Sequence, residues 1–287
     1  MKVNILISTI DEGIDRVGNV VLSPRNDVSY IVSHQYTDDK YKYVPAELER
    51  EDITVSHIAG RGVTKSRNNA IAIADGDIAL FSDDDVTYRD SDIDAVRKTF
   101  RQNSAVDVAI FKIRTPAGEP EYKKYPDKII EYQHAPCVGT VQIAFRVDKI
   151  KERKILFDER FGAGQPLLIG NDEKLFLHDC INAGLKVVFF PKFIVEHPYE
   201  STSKGIPKYD KRKIWVEGGV DYRMHGPVAI PKAFIKTISM LPDLLRHRVN
   251  PIIYCYHRLS AIVYVWKTRN QMEKLYRNNK KTFDAGF

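Results

Sequence analysis

The sequence predicts an α/β domain with a mostly parallel sheet, followed by a helical extension. Three observations carry this. Apolar strand-length runs alternate with amphipathic helix-length stretches over roughly the first hundred residues. The run Ala79–Phe81 leads almost directly into Asp83, Asp84 and Asp85, which sets acids at the carboxyl edge of a strand, where such sheets bind ligands. From Val228 onward the composition turns apolar and aromatic, with scattered cations.

Each element follows from its pattern. Val3–Ser8 (VNILIS) reads as a buried strand, and Val28–Ser33 and Ile53–His57 as two more. Thr64 is the expected cap of a helix from Lys65 to Ala74, with Ala70, Ile71 and Ala74 on one face. Asp75-Gly76-Asp77 ends it, and Ile78–Phe81 is the next strand. Asp90 or Ser91 opens a helix with Ile93, Val96 and Phe100 at helical spacing, before a strand over Val106–Ile113. Val141–Val147 is strand-like, then come the charged DKIKERK and the loop FDERFGAGQPLLIG. Asp172 opens a helix to Ala183, ended by Gly184. Lys186–Phe190 and Phe193–Glu196 are expected as two strands split by Pro191.

The extension holds VAIPKAFIKTISMLPDLL and PIIYCYHRLSAIVYVW, the second too short and too polar in its middle to span a bilayer. Residues 267–281 then carry Lys267, Arg269, Lys274, Arg277, Lys280 and Lys281 against Glu273. Apolar helices followed by cations suit a peripheral position on an anionic inner membrane face. The alternative is a helical pair packed on the α/β domain or on a second subunit, giving a homo-oligomer. The expected division is residues 1–225 and 226–287.

Cys137, Cys180 and Cys255 form no CxxC pair, which fits a reducing, cytoplasmic compartment, and the N-terminus has no signal-peptide pattern. A net charge of +6 points to an anionic partner. Nucleic acid is disfavoured, because the cations form no base-reading stripe.

In an extended segment Asp83 and Asp85 project to one side and could share Mg²⁺ or Mn²⁺, with Asp84 pointing elsewhere. The alternative is an acidic turn before a helix. Arg61, Lys65 and Arg67, around a Gly-rich helix start, suit a diphosphate; Arg67 also reads as a surface residue paired with an acid. Asp172 and Glu173 at a helix start include a candidate general base, or serve the helix dipole. His197, at a strand end, is a structural histidine or a metal ligand.

The order of these elements resembles family 2 glycosyltransferases with the GT-A fold. GVTKSRNNAIAIADGDIALFSDDDV is similar to that family's helix–strand–DxD segment, FDERFGAGQPLLIGNDEKLF to its acceptor loop and base motif, and KVVFFPKFIVEHP to the strands before its late histidine. The resemblance covers residues 1 to about 200 and looks closest to bacterial capsular or O-antigen enzymes. It implies an inverting, metal-dependent transferase (Mn²⁺ or Mg²⁺). The donor would be a nucleotide-diphosphate sugar, UDP-linked, and the acceptor a saccharide or lipid-linked saccharide. Asp172 would be the base; Arg67, Lys65, Asp83 and Asp84 would hold the nucleotide; Asp83, Asp85 and His197 would hold the metal. The family's acidic pair stands here as Asn171-Asp172, which leaves Glu173 as the other candidate base. Gln35, Asp38 and Asp39 are the candidates for reading the nucleobase. The rival readings are a sugar nucleotidyltransferase, against which STIDEGIDRVGN is too acidic for a phosphate loop, and a non-catalytic carbohydrate-binding or membrane-adaptor protein.

Overall fold

The computed structural model describes residues 1–199, 205–271 and 273–274. Four strands build its first half: β1 (Val3–Ile10), β2 (Val28–Tyr36), β3 (Ile53–Ala59) and β4 (Ile78–Asp83). Helices α1 (Val63–Ile73) and α2 (Asp90–Gln102) flank β4 in sequence. Strands β5 (Val108–Arg114), β6 (Ile130–Glu131) and β7 (Ile143–Arg146) follow, then α3 (Val147–Glu152), α4 (Asp172–Asn182) and β8 (Val187–Glu196). The chain continues through α5 (Lys211–His225), α6 (Ala229–Ser239), α7 (Leu241–Arg246) and α8 (Pro251–Lys267).

The strands form one sheet in the order β3-β2-β1-β4-β7-β5-β8-β6. β1 lies parallel to both β2 and β4, so the chain leaves it in opposite directions and opens a crevice beyond its carboxyl end. Alternation along β1 supplies both faces: Ile5 and Ile7 join one core, Leu6 the other. In the second core the rings of Phe81, Phe145, Phe157 and Phe176 pack together, with Phe157 and Phe176 stacked at 4.5 Å. Each buried ring contributes about 1.5–3 kcal/mol.

Three expectations need correction. Thr64 does not cap α1: the helix begins at Val63 after Gly62, whose φ of 122° an L side chain resists. The Thr64 hydroxyl instead donates to the Phe161 carbonyl at 3.0 Å, tying α1 to the loop before α4. Pro191 does not split the last strand. β8 runs through it, because the pairing with β5 shifts register between Ile110 and Lys112, and a proline costs no ladder hydrogen bond at such an irregularity. The strand expected from Val141 begins at Ile143 and inserts antiparallel between β4 and β5. Part of the charged DKIKERK stretch is helix α3, with Ile150 buried.

α5 and α8 touch backbone to backbone. A Cβ on Gly218 would sit 2.5 Å from the Arg258 carbonyl oxygen, so the pair meets only where a side chain is missing. Among the described residues no helix is long and apolar enough to cross a membrane. Arg277, Lys280 and Lys281 of the expected basic tail lie outside the described residues.

Candidate active site

A cavity of about 750 Å³ opens beyond the carboxyl ends of β1 and β4. Arg67, Asp83, Asp85, Asp172, Glu173 and His197 line it. They come from the second turn of α1, the end of β4 and the residues just after it, the first turn of α4, and the residue after β8.

Arg67 is the pivot. It is buried, and its guanidinium meets Asp172 at 2.5 Å, Asp83 at 3.3 Å and Glu173 at 4.0 Å. One cation therefore joins both acidic ends of the cavity, and the surface reading of Arg67 is excluded. Phe157 lies 5.5 Å below its charged carbon, and its Nε has no partner among the described residues.

Asp172 is 2% exposed and opens α4 directly after Asn171, whose φ is 61°. Asn tolerates this left-handed conformation better than a longer acid does, which accounts physically for Asn at the position before Asp172. Gly162 (φ 105°) lets the preceding loop close over the carboxylate, since a Cβ there would lie 3.1 Å from Asp172 Cγ. Burial pushes the Asp172 carboxyl up, with Arg67 pulling against it. Glu173, 21% exposed at its side chain, accepts a hydrogen bond from Thr140 Oγ1 at 2.7 Å. Burial and the neighbouring Asp172 push its carboxyl up to about 7.

The three aspartates divide as their alternation predicts. Asp83 and Asp85 line the cavity and Asp84 does not. Asp84 turns back to Arg16 at 2.8 Å and takes the Thr9 hydroxyl, locking the end of β4 to the segment after β1. Asp85 lies 3.6 Å from His197 Nε2, and burial followed by Asp83 raises its carboxyl. His197 Nδ1 is 2.6 Å from the Pro198 carbonyl, which only accepts, so Nδ1 carries a proton and Nε2 is the ring nitrogen that faces Asp85. A carboxylate oxygen and an imidazole nitrogen facing each other are a donor set that suits Mn²⁺ or Mg²⁺. Among the described residues no three His, Cys, Asp or Glu side chains gather tightly enough to hold a metal ion as they stand.

Lys65 is not brought to the cavity; its ammonium donates to the Ala59 carbonyl at 2.9 Å. Of the base-reading candidates, Gln35 is buried at the end of β2 with its amide nitrogen unpartnered among the described residues. Asp38 accepts from the Lys40 backbone at 3.0 Å, and Asp39 is exposed. The sequence reading missed Tyr122, which lines the cavity with its ring 5.4 Å from that of His197, and Thr140. Both sit in irregular segments whose sequence carries no periodic signal.

Residues 8–160 match the sequence profile of glycosyl transferase family 2, more than half of the chain. Among solved structures, S. aureus TarS residues 1–349 superposes with a TM-score of 0.54 at 15% identity, covering 78% of this chain and 65% of that one. The same TarS segment in complex with UDP-GlcNAc gives 0.54 at 15% identity, covering 78% and 66%. The longer TarS chain gives 0.53 at 15% identity, covering 77% of this chain and 39% of TarS. This chain thus spans about two thirds or less of those proteins, and at such identity the likeness shows the fold alone. No curated protein matches the chain. The fold is a Rossmann-like mixed sheet flanked by helices, of the GT-A type, and the chain belongs to glycosyl transferase family 2.

Proposed function

We propose that the chain is an inverting, metal-dependent glycosyltransferase moving a sugar from a nucleotide-diphosphate sugar to an acceptor hydroxyl. The observation that carries this reading is the Asp83–Arg67–Asp172 chain, which sets a candidate diphosphate end and a candidate base end on opposite sides of one buried cation. The UDP-GlcNAc complex of TarS, alike in fold, supports a UDP-linked donor. The motif set resembling capsular and O-antigen enzymes supports a saccharide or lipid-linked acceptor in surface polysaccharide synthesis.

Asp172 takes the proton of the attacking hydroxyl. Its orientation is fixed by Arg67 and by the loop that Gly162 lets close over it, and its burial makes it a stronger base than a solvated aspartate. As the proton arrives, the new carboxylic acid keeps its hydrogen bond from Arg67. The acceptor oxygen then bonds to the anomeric carbon from the face opposite the diphosphate, while the bond to the diphosphate breaks. Asp83, Asp85 and His197 would hold a Mn²⁺ or Mg²⁺ ion, which when bound supplies positive charge beside the departing diphosphate. Arg67, with a hydrogen on Nε still unpartnered, adds a second positive charge to that region. Tyr122 lines the cavity edge-on to the His197 ring.

The test is Asp172→Asn assayed for transfer from radiolabelled UDP-sugars. A loss of about 10²–10⁴ in kcat with native folding is expected. A folded Asp172→Asn chain with near-normal turnover, alongside a comparable loss in Glu173→Gln, would transfer the base role to Glu173.

A further inference from the structure

A second cavity, about 400 Å³, shares Asn171 as a wall with the catalytic cavity. Lys174 from α4 and Lys232 and Lys236 from α6 line it, with Arg258 from α8. Against these stand Glu217 and Asp221, both already paired with Arg258, so two positive charges remain in excess. None of the three lysines makes an ion pair or side-chain hydrogen bond among the described residues. Arg258 is 3% exposed, and its Nε–H has no partner among the described residues. Three free ammonium groups in a concave wall, with the charge of a buried arginine behind them, make a site that suits an anion.

The position of this cavity says to which substrate the anion belongs. Lys174 lies two residues beyond Asp172 on α4. A donor diphosphate at Asp83 and Asp85 would occupy the far side of the catalytic cavity. An anion at Lys174 therefore travels with the molecule whose hydroxyl reaches Asp172. The surroundings are apolar: Ile235 lines the cavity, and Phe234 and Ile238 are exposed on the same helix. Of the fifteen exposed large hydrophobic side chains among the described residues, twelve lie between Val228 and Trp266. Asp243 is the one acid from Gly226 to Lys267, and it is paired with Lys208 at 2.6 Å.

We propose that this second cavity is an acceptor subsite for a phosphate or diphosphate group, gripped by Lys174, Lys232 and Lys236, with Arg258 held behind them by Glu217 and Asp221. It rests on the glycosyl-transfer reading above for its link to the acceptor, while the anion site itself stands on the cavity alone. Lysine point charges suit a phosphate whose angular setting varies. The apolar faces of α6 and α8 favour a phosphate carried on a lipid over one on a soluble sugar.

The experiment is site-resolved acetylation of the full chain, quantified lysine by lysine by mass spectrometry, with inorganic pyrophosphate as the probe. At about 1 mM pyrophosphate, Lys174, Lys232 and Lys236 are expected to react about tenfold more slowly, while exposed Lys98 on α2 is unchanged. In the Lys232→Gln/Lys236→Gln chain, protection of Lys174 is expected to disappear. Unchanged rates at the three lysines, or equal protection of Lys98, overturn the subsite. A second arm uses phosphatidylcholine vesicles with and without phosphatidic acid. Protection by pyrophosphate and by phosphatidic acid vesicles identifies a lipid-borne phosphate, and by pyrophosphate alone a soluble phosphorylated acceptor. Protection by vesicles alone marks a flat surface contact and overturns the subsite. No sugar transfer is measured, so failure of the transfer assay and failure of this one are read separately.

Discussion

Replacing Arg67 by Met keeps the length and apolar packing of the side chain and removes its charge. Asp172, which meets that charge at 2.5 Å, is then left in a site where it is 2% exposed, with Asp83 and Glu173 as its nearest charged company. Removing one partner of a buried ion pair costs about 3–5 kcal/mol. In a chain of this size each kcal/mol moves Tm by about 2 °C, so the variant melts about 6–10 °C lower at pH 8. The pH dependence identifies the cause. Without Arg67 the Asp172 carboxyl is raised further above its unfolded value of about 3.9, so stability is retained at low pH and lost as pH rises through the folded value. The deficit is therefore expected to be smaller at pH 5 than at pH 8. Adding Asp172→Asn removes the stranded charge and recovers most of the loss at pH 8. Urea unfolding of the three chains at both pH values measures all of this. A deficit equal at pH 5 and pH 8, or no recovery in the double variant, would show that Arg67 does not hold Asp172.

Three further outcomes follow from the same coordinates. Gly218→Ala forces α5 away from the Arg258 backbone and is expected to cost about 1–3 kcal/mol by thermal melting; an unchanged Tm would contradict the close approach. Mn²⁺ at about 100 times its Kd is expected to stabilise the native chain by about 2.7 kcal/mol, and Asp85→Asn or His197→Ala to abolish that shift; an equal shift in both variants would remove these residues from the metal site. Glu173 titrates at about 7, above its unfolded value, so its contribution is present at low pH and lost as pH rises through neutrality. Glu173→Gln should therefore gain Tm relative to the native chain between pH 5 and pH 8; parallel profiles would place Glu173 in water.

The first strand was legible because VNILIS sets Val3, Ile5 and Ile7 on one face and still places Leu6 on the other, as a strand covered on both sides needs. β7 was harder: four residues between two longer strands owe their antiparallel place to distant partners, which no local pattern encodes. Pro191 misled because a proline in isolation reads as a break, whereas the shifted register opposite Ile110 and Lys112 absorbs it. In the cavity, Asp83, Asp85, Asp172 and His197 could be singled out because they sit at, or within two residues of, a strand end or helix start, and Arg67 because it lies four residues into α1, where chain direction brings side chains to one edge. Lys65 shares that neighbourhood in sequence but reaches the other way, to Ala59. Asp84 was legible only as the member pointing elsewhere; that it anchors β4 to Arg16 and Thr9 depends on an irregular segment after β1.

The second cavity was illegible for a different reason. Lys174, Lys232 and Lys236 are separated by α5, and in the sequence the last two look like ordinary cations on an amphipathic helix. They become a cluster only because Gly218 lets α5 and α8 close together, which brings Arg258 and α6 against the start of α4. The result is two adjoining cavities of opposite character, one lined by four carboxylates around a single arginine, the other by four cations around two carboxylates. An anion entering the first meets repulsion unless positive charge accompanies it; an anion entering the second meets none. On the proposed reading, a phosphate on the acceptor would be steered to Lys174 and away from Asp83 and Asp85 by charge alone. With Asn171 as the wall between the cavities, the same field that rejects a misplaced acceptor phosphate would leave its sugar hydroxyl at the edge nearest Asp172.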